Sequence, residues 1–223
     1  MRYIVIMKTI RFAIFLALFT MLTIGAFGDS FYSIAGSFHS FYEQYPDENY
    51  GRDLQGGDFI ILLNYYPDSF PIGWYLRTSF GSSFIGIEWK DKSMSTVDTY
   101  GSSVIQVSAG PSYRFKLGRI IHFPISLGPI FSIIREEDYY DYGDDSSFSN
   151  SLNLGMHLDV SLVLNPIKAL TIINGLYTSV DFLHWERGYN KGKFRSINSG
   201  NFEFQNYGAV KLGFYIGIGL HFD

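Results

Sequence analysis

The sequence has no cysteine among its 223 residues. This excludes disulfides, a thiolate nucleophile, Cys-ligated metals and a lipid-modified N-terminal cysteine. It also lacks a basic excess, with 17 Lys+Arg against 21 Asp+Glu. Nucleic-acid binding wants a basic stripe, so no nucleic-acid partner is expected. After the N-terminal segment, no apolar run approaches the roughly 20 residues that a membrane-spanning helix needs. Charge is sparse throughout, at 17%.

Aromatic residues make up 18% of the chain, with 21 Phe and 17 Tyr beside 23 Gly. This mixture favours strands and turns over helices. Residues 1–28 read as a cleaved signal peptide. Lys8 and Arg11 form a basic start, residues 12–24 an apolar stretch, and "AFG" (26–28) supplies small residues before the cut. Cleavage is expected after Gly28, with Met7 as the expected true start, leaving 29–223 as one domain. Without residues 1–28 the balance is 14 basic against 21 acidic residues, a net charge of −7.

The final stretch, "AVKLGFYIGIGLHFD" (209–223), alternates strictly. Val210, Leu212, Phe214, Ile216, Ile218, Leu220 and Phe222 fall on one face; Lys211, Gly213, Tyr215, Gly217, Gly219 and His221 fall on the other. Period two over thirteen residues is a strand with two different surroundings. Alternating segments also occur at 31–39, 74–82, 104–116, 121–133, 152–164 and, interrupted by Asn174 and Thr178, about 170–182; with 59–66, apolar on both faces and read by position, they give eight strands. Connections alternate between short (67–73, 117–119, 165–169) and long (40–57, 83–99, 134–150, 183–206). With antiparallel strands, the long loops share one end and both termini the other.

Two barrels have this pattern, and they differ in which face points inward. A soluble lipocalin-like barrel would carry many Lys, Glu and Thr outside. Here the polar face is mostly Ser, Gly, Ala and Asn, small enough for the narrow interior of eight strands. The other face is crowded with Leu, Ile and Phe, as hydrocarbon requires. The prediction is therefore an all-β, eight-stranded antiparallel up-and-down transmembrane β-barrel, closed because lipid leaves no backbone group unpaired. Trp74, Tyr113 and Phe115 would mark the turn-end interface; Phe131, Phe182 and Trp185 would mark the loop end. Pro111, Pro124 and Pro129 lie within strands and predict bulges or ladder breaks, with no tidy register nearby.

The signal segment, the eight strands and the aromatic-rich closing strand together resemble the small bacterial outer-membrane barrels of the OmpX, OmpW and OmpA-transmembrane-domain group. Tyr215, Gly217, Leu220 and Phe222 match that group's closing-strand motif, although the chain ends in Asp223 rather than on the aromatic. The resemblance implies that these four residues are read by the barrel-assembly machinery. It also implies an outer-membrane location, contact with outer-membrane lipids, periplasmic termini and periplasmic short turns.

Candidate sites follow from the polar face. Asp181 and Lys211, at similar depth on neighbouring strands, are expected to pair inside the lumen. Arg77 and Arg114 lie near the turn end, and one of them is expected to reach Asp159. These five residues read as a structural or gating network. Ile60, Leu62, Val104 and Ile130 are candidates for an apolar lumen arc. The acidic stretch 135–147 includes Asp141, Asp144 and Asp145, whose spacing is not that of an EF-hand, so no metal site is expected. Loop 183–206 is basic through Arg187, Lys191, Lys193 and Arg195. His39, Ser40 and His184 fall near the outer rim, where a lipid-modifying site would sit, yet no nucleophile–base spacing stands out. Neither catalysis nor a cofactor is expected. The leading functional reading is a surface-interaction protein that contacts an external ligand or host molecule through loops 40–57, 83–99, 134–150 and 183–206. The alternative is a narrow, OmpW-like passage for small hydrophobic molecules.

Overall fold

A computed structural model describes residues 29–45, 50–67, 70–90, 93–97, 101–138, 147–167, 169–190, 193–196 and 208–222. The segment 1–28 read as a signal peptide lies outside the described residues. The strands are β1 (Asp29–Tyr45), β2 (Tyr50–Tyr66), β3 (Ile72–Lys90), β4 (Ser93–Val97) and β5 (Gly101–Leu117). They continue with β6 (Ile121–Asp138), β7 (Ser147–Ile167), β8 (Leu170–Asn190), β9 (Lys193–Ser196) and β10 (Gly208–Phe222).

Eight long strands form an antiparallel ring in the order β1-β2-β3-β5-β6-β7-β8-β10. β10 closes it on β1, from Ser30 opposite Phe222 to Gln44 opposite Gly208. The alternation that defines the faces is kept around the wall. In β10, Leu212, Phe214, Ile216, Ile218, Leu220 and Phe222 are exposed on the outside, while Lys211 and Tyr215 are buried within. Trp74, Tyr113 and Phe115 point outward at the turn end. Exposed apolar residues therefore surround the barrel, far beyond the patch a soluble monomer tolerates. This is an eight-stranded up-and-down transmembrane barrel.

Much of what reads in sequence as long loops is strand. β1 and β2 pair out to Tyr45 opposite Tyr50, and β3 runs to Lys90, where it also pairs with β4. β8 continues to Asn190 and pairs with β9. β7 and β8 each have 21 residues, about twice the roughly 9–11 that cross a bilayer. Beyond the lipid neither face needs to be apolar, so the alternation fades while the hydrogen-bonded ladder continues. At the other end the connections are tight, and Gly118 takes φ 79° in the β5–β6 turn, a conformation that favours glycine.

The prolines break ladders without shifting them. Pairing between β5 and β6 stops after Ser108 opposite Ile130 and resumes at Ser112 opposite Ser126, in unchanged register. Pro111 stays aligned with Trp74 of β3, and Pro129 with Met156 of β7, so both missing donors fall in this one gap. A second break, beside Pro124, separates His122–Val163 from Ile125–Val160. The register shifts lie elsewhere, between Gln55 and Gly56, between Leu154 and Gly155 and between Leu164 and Ile167. In the β5–β6 gap the backbones nearly touch. A Cβ on Gly110 would stand 2.3 Å from the Leu127 carbonyl oxygen, and one on Gly128 would stand 2.2 Å from that of Ala109.

Candidate functional site: a filled lumen

Asp58 on β2 is the hub of the lumen. The Lys211 ammonium on β10 donates to Asp58 Oδ2 at 2.8 Å, and the Tyr177 hydroxyl on β8 donates to the same oxygen at 2.9 Å. His39 Nδ1 on β1 lies 3.3 Å from it. Lys211 also donates to Gln106 Oε1 on β5 at 2.8 Å, and Gln106 Nε2 donates to Ser132 on β6 at 3.0 Å. Six of the eight walls are thereby tied together across the interior.

Nearer the turns, aromatic rings and cations fill the space. The Arg77 guanidinium sits 4.0 Å from the centre of the Tyr177 ring, and Arg114 sits 4.0 Å from that of Tyr66, both cation–π contacts. The Tyr215 hydroxyl donates to Asp159 Oδ1 at 2.9 Å. Tyr66 and Ser112 share a hydrogen bond of 2.7 Å. The tyrosines need glycine beneath them. Tyr215 lies against Gly175, and Tyr177 against Gly213, each where a Cβ would stand within 2.4 Å of the ring.

At the turn end, Asp29 is ion-paired to Arg114 and to Lys116 (3.2 Å), and its Oδ1 lies 2.5 Å from His221 Nε2. His221 in turn stacks on Phe31, with ring centres 4.6 Å apart. Burial works to raise the Asp29 pKa. The His221 hydrogen bond and the Arg114 and Lys116 cations outweigh it and hold the carboxyl well below the ordinary range.

Several sequence expectations change. Lys211 binds Asp58 and Gln106 rather than Asp181, which lies opposite Ala209 and accepts a hydrogen bond from Asn153 at 3.0 Å. Asp159 takes its hydrogen bond from Tyr215 instead of an arginine, since Arg114 is drawn to Asp29 and Arg77 Nη1 lies 3.5 Å from His157. Ile60, Leu62, Val104 and Ile130 are all buried, but they do not form one apolar arc. Ile60 and Leu62 pack with tyrosines, and Arg77 and Ser108 stand between Leu62 and Ile130 in the same hydrogen-bonded row.

The closing-strand motif is split between faces. Tyr215 and Gly217 belong to the inward series, whereas Leu220 and Phe222 are exposed outside. His39, Ser40 and His184 do not converge either. His39 faces Asp58, Ser40 alternates to the other face, and His184 Nδ1 lies 2.8 Å from Asn153 Oδ1. Asp141, Asp144, Asp145 and Lys191 lie outside the described residues. Sequence reading missed Asp29, Asp58, Gln106 and Tyr177. Parity with Ile60 and Leu62 was the available signal that Asp58 faces inward.

No protein-family model matches the chain, and no curated protein matches it in sequence. Solved structures do match in fold. A major outer membrane protein from Thermus thermophilus is 14% identical, with TM-score 0.54, covering 86% of this chain and 99% of that one. The outer membrane protein OprG from Pseudomonas aeruginosa is 10% identical, with TM-score 0.52, covering 87% of this chain and 96% of that one. The chain thus has the fold of the small outer-membrane barrels.

Proposed function

We propose that this barrel, sharing its fold with outer-membrane proteins, is a closed surface protein that works through its hairpin end. The observation that carries this reading is the filled lumen. Its fully buried large side chains include Arg77, Arg114, Tyr66, Tyr215, Phe31 and Ile130. Together with the Asp58 hub, they occupy the interior that a pore would need. Long hairpins favour the same reading, because a scaffold that only sealed a membrane would gain nothing from strands twice the necessary length. The short turns and the barrel's termini then face the periplasm, and the hairpins face outside. An external ligand or host molecule is the partner of the hairpins, and no catalytic step is assigned. The test is planar-bilayer conductance alongside cell-surface or ligand binding, before and after exchange of the hairpins for short turns. Near-baseline conductance and binding lost with the hairpins are expected. A stable open channel would overturn the reading.

A second reading is a passage for small hydrophobic molecules, and it has one observation in its favour. The wall between β5 and β6 is unpaired from Ala109 to Pro111. The backbone contact at Gly110 and Gly128 argues that this gap is shut. Uptake of hydrophobic solutes by liposomes that hold the hairpin-shortened barrel distinguishes the two readings.

A further inference from the structure

We propose that the turn-end mouth of the barrel is a binding site for a phosphate-type anion, held by Lys116, Arg119 and His122. These residues line a cavity of about 430 Å³ between the β5–β6 and β7–β8 turns, with Asp29, Asn165 and His221 also in its wall. His122 is 4% exposed, and neither of its ring nitrogens has a hydrogen-bond partner. Leaving such a buried polar group unsatisfied costs about 1–3 kcal/mol, so an oxygen-bearing occupant of the cavity is favoured.

The charge at the mouth selects an anion. Lys116 and Arg119 line the cavity, and Arg114 stands behind Asp29. Among the described residues of the wall, Asp29 is the single carboxylate, and its oxygens are already engaged by Arg114, Lys116 and His221. A cation would find no free carboxylate there, and no cluster of metal-ligating side chains occurs among the described residues. An ammonium, a guanidinium fork and an imidazole line the cavity instead, a set of donors that suits a tetrahedral anion with several acceptor oxygens.

That chemistry has two sources at a membrane surface: a phospholipid headgroup and soluble phosphate. The experiment uses the barrel in neutral maltoside micelles and phosphate-free buffer, with NMR of the His122 ring and the Arg119 side chain. Inorganic phosphate is titrated in one arm; in the other, the barrel is transferred to phosphatidylglycerol nanodiscs without free phosphate. A saturable shift in the first arm assigns a soluble anion. A shift in the second arm alone assigns the headgroup. In either case Arg119→Gln, in an exposed turn, is expected to weaken binding on the order of tenfold, the loss of one charge-assisted contact. No shift in either arm, or shifts that Arg119→Gln and Lys116→Gln leave unchanged in folded barrels, would overturn the proposal.

Discussion

Lys211 and Asp58 meet at 2.8 Å although their strands, β10 and β2, are not neighbours: β1 lies between them. The contact therefore spans a chord of the lumen rather than a rung of the ladder. Both side chains are almost wholly buried. Removing one partner strands a charge where little water reaches, a loss of roughly 3–5 kcal/mol. Lys211→Met is thus expected to lower the urea midpoint of unfolding in micelles markedly, and Asp58→Asn by a comparable amount. The double variant should lose less than the sum of the two. Strict additivity would mean that the pair is not coupled.

Within the alternating segments, the face a residue takes was legible in the sequence; which partner it meets was not. Parity fixed the inward series of β10, because lipid on one side and a narrow interior on the other punish any error. Parity carries no information on depth or position around the ring, which depend on strand tilt and stagger. Adjacency in sequence order therefore points Lys211 to Asp181 of the neighbouring strand, whereas closure carries it to Asp58. The hairpins were unreadable for a related reason. Segments such as "YGRDLQGG" (50–57) have no apolar face to betray a strand once both faces leave the lipid.

The closing strand separates two roles that the sequence merges. A Cβ on Gly217 would stand 2.2 Å from the Ile34 carbonyl oxygen, so Gly217→Ala strains the β1–β10 seam itself. Phe222 faces outward and packs edge-on against Tyr32, with ring centres 5.3 Å apart. Gly217→Ala should therefore lose about 1–3 kcal/mol even when refolded from urea into micelles. If its side chain belongs to a signal that the assembly machinery reads, as the resemblance implies, Phe222→Asp should refold in vitro yet fail to assemble in cells. Normal assembly of Phe222→Asp in cells would remove that role.

Acid should weaken the barrel in part through Asp29. Its folded pKa is depressed, so its contribution to stability is fully present above the unfolded value of about 3.9 and is lost as pH falls through the lower folded value. Asp29→Asn should destabilise the barrel at neutral pH and flatten the decline in stability below pH 4. Thermal unfolding in micelles across that range checks this, and parallel acid profiles for the two proteins would show that Asp29 does not carry it.

Leu158 and Asp159 are consecutive on β7, yet they belong to different solvents. Leu158 is exposed on the outer wall, while Asp159 and Ser161 are buried in the lumen. The outer wall is hydrocarbon-facing only if the barrel spans a membrane. An arginine at 158 should then cost roughly 2–4 kcal/mol, the penalty for a cation at mid-depth. The absence of native cysteine permits a direct comparison. Leu158→Cys should react with a lipid-soluble maleimide in liposomes and resist a water-soluble one. Ser161→Cys should resist the lipid-soluble reagent, and the water-soluble reagent should reach it slowly or not at all, because the tyrosine and arginine side chains fill the lumen around it. Rapid labelling of 158 by the aqueous reagent in intact liposomes would place the apolar wall in water, and the membrane assignment would fall with it.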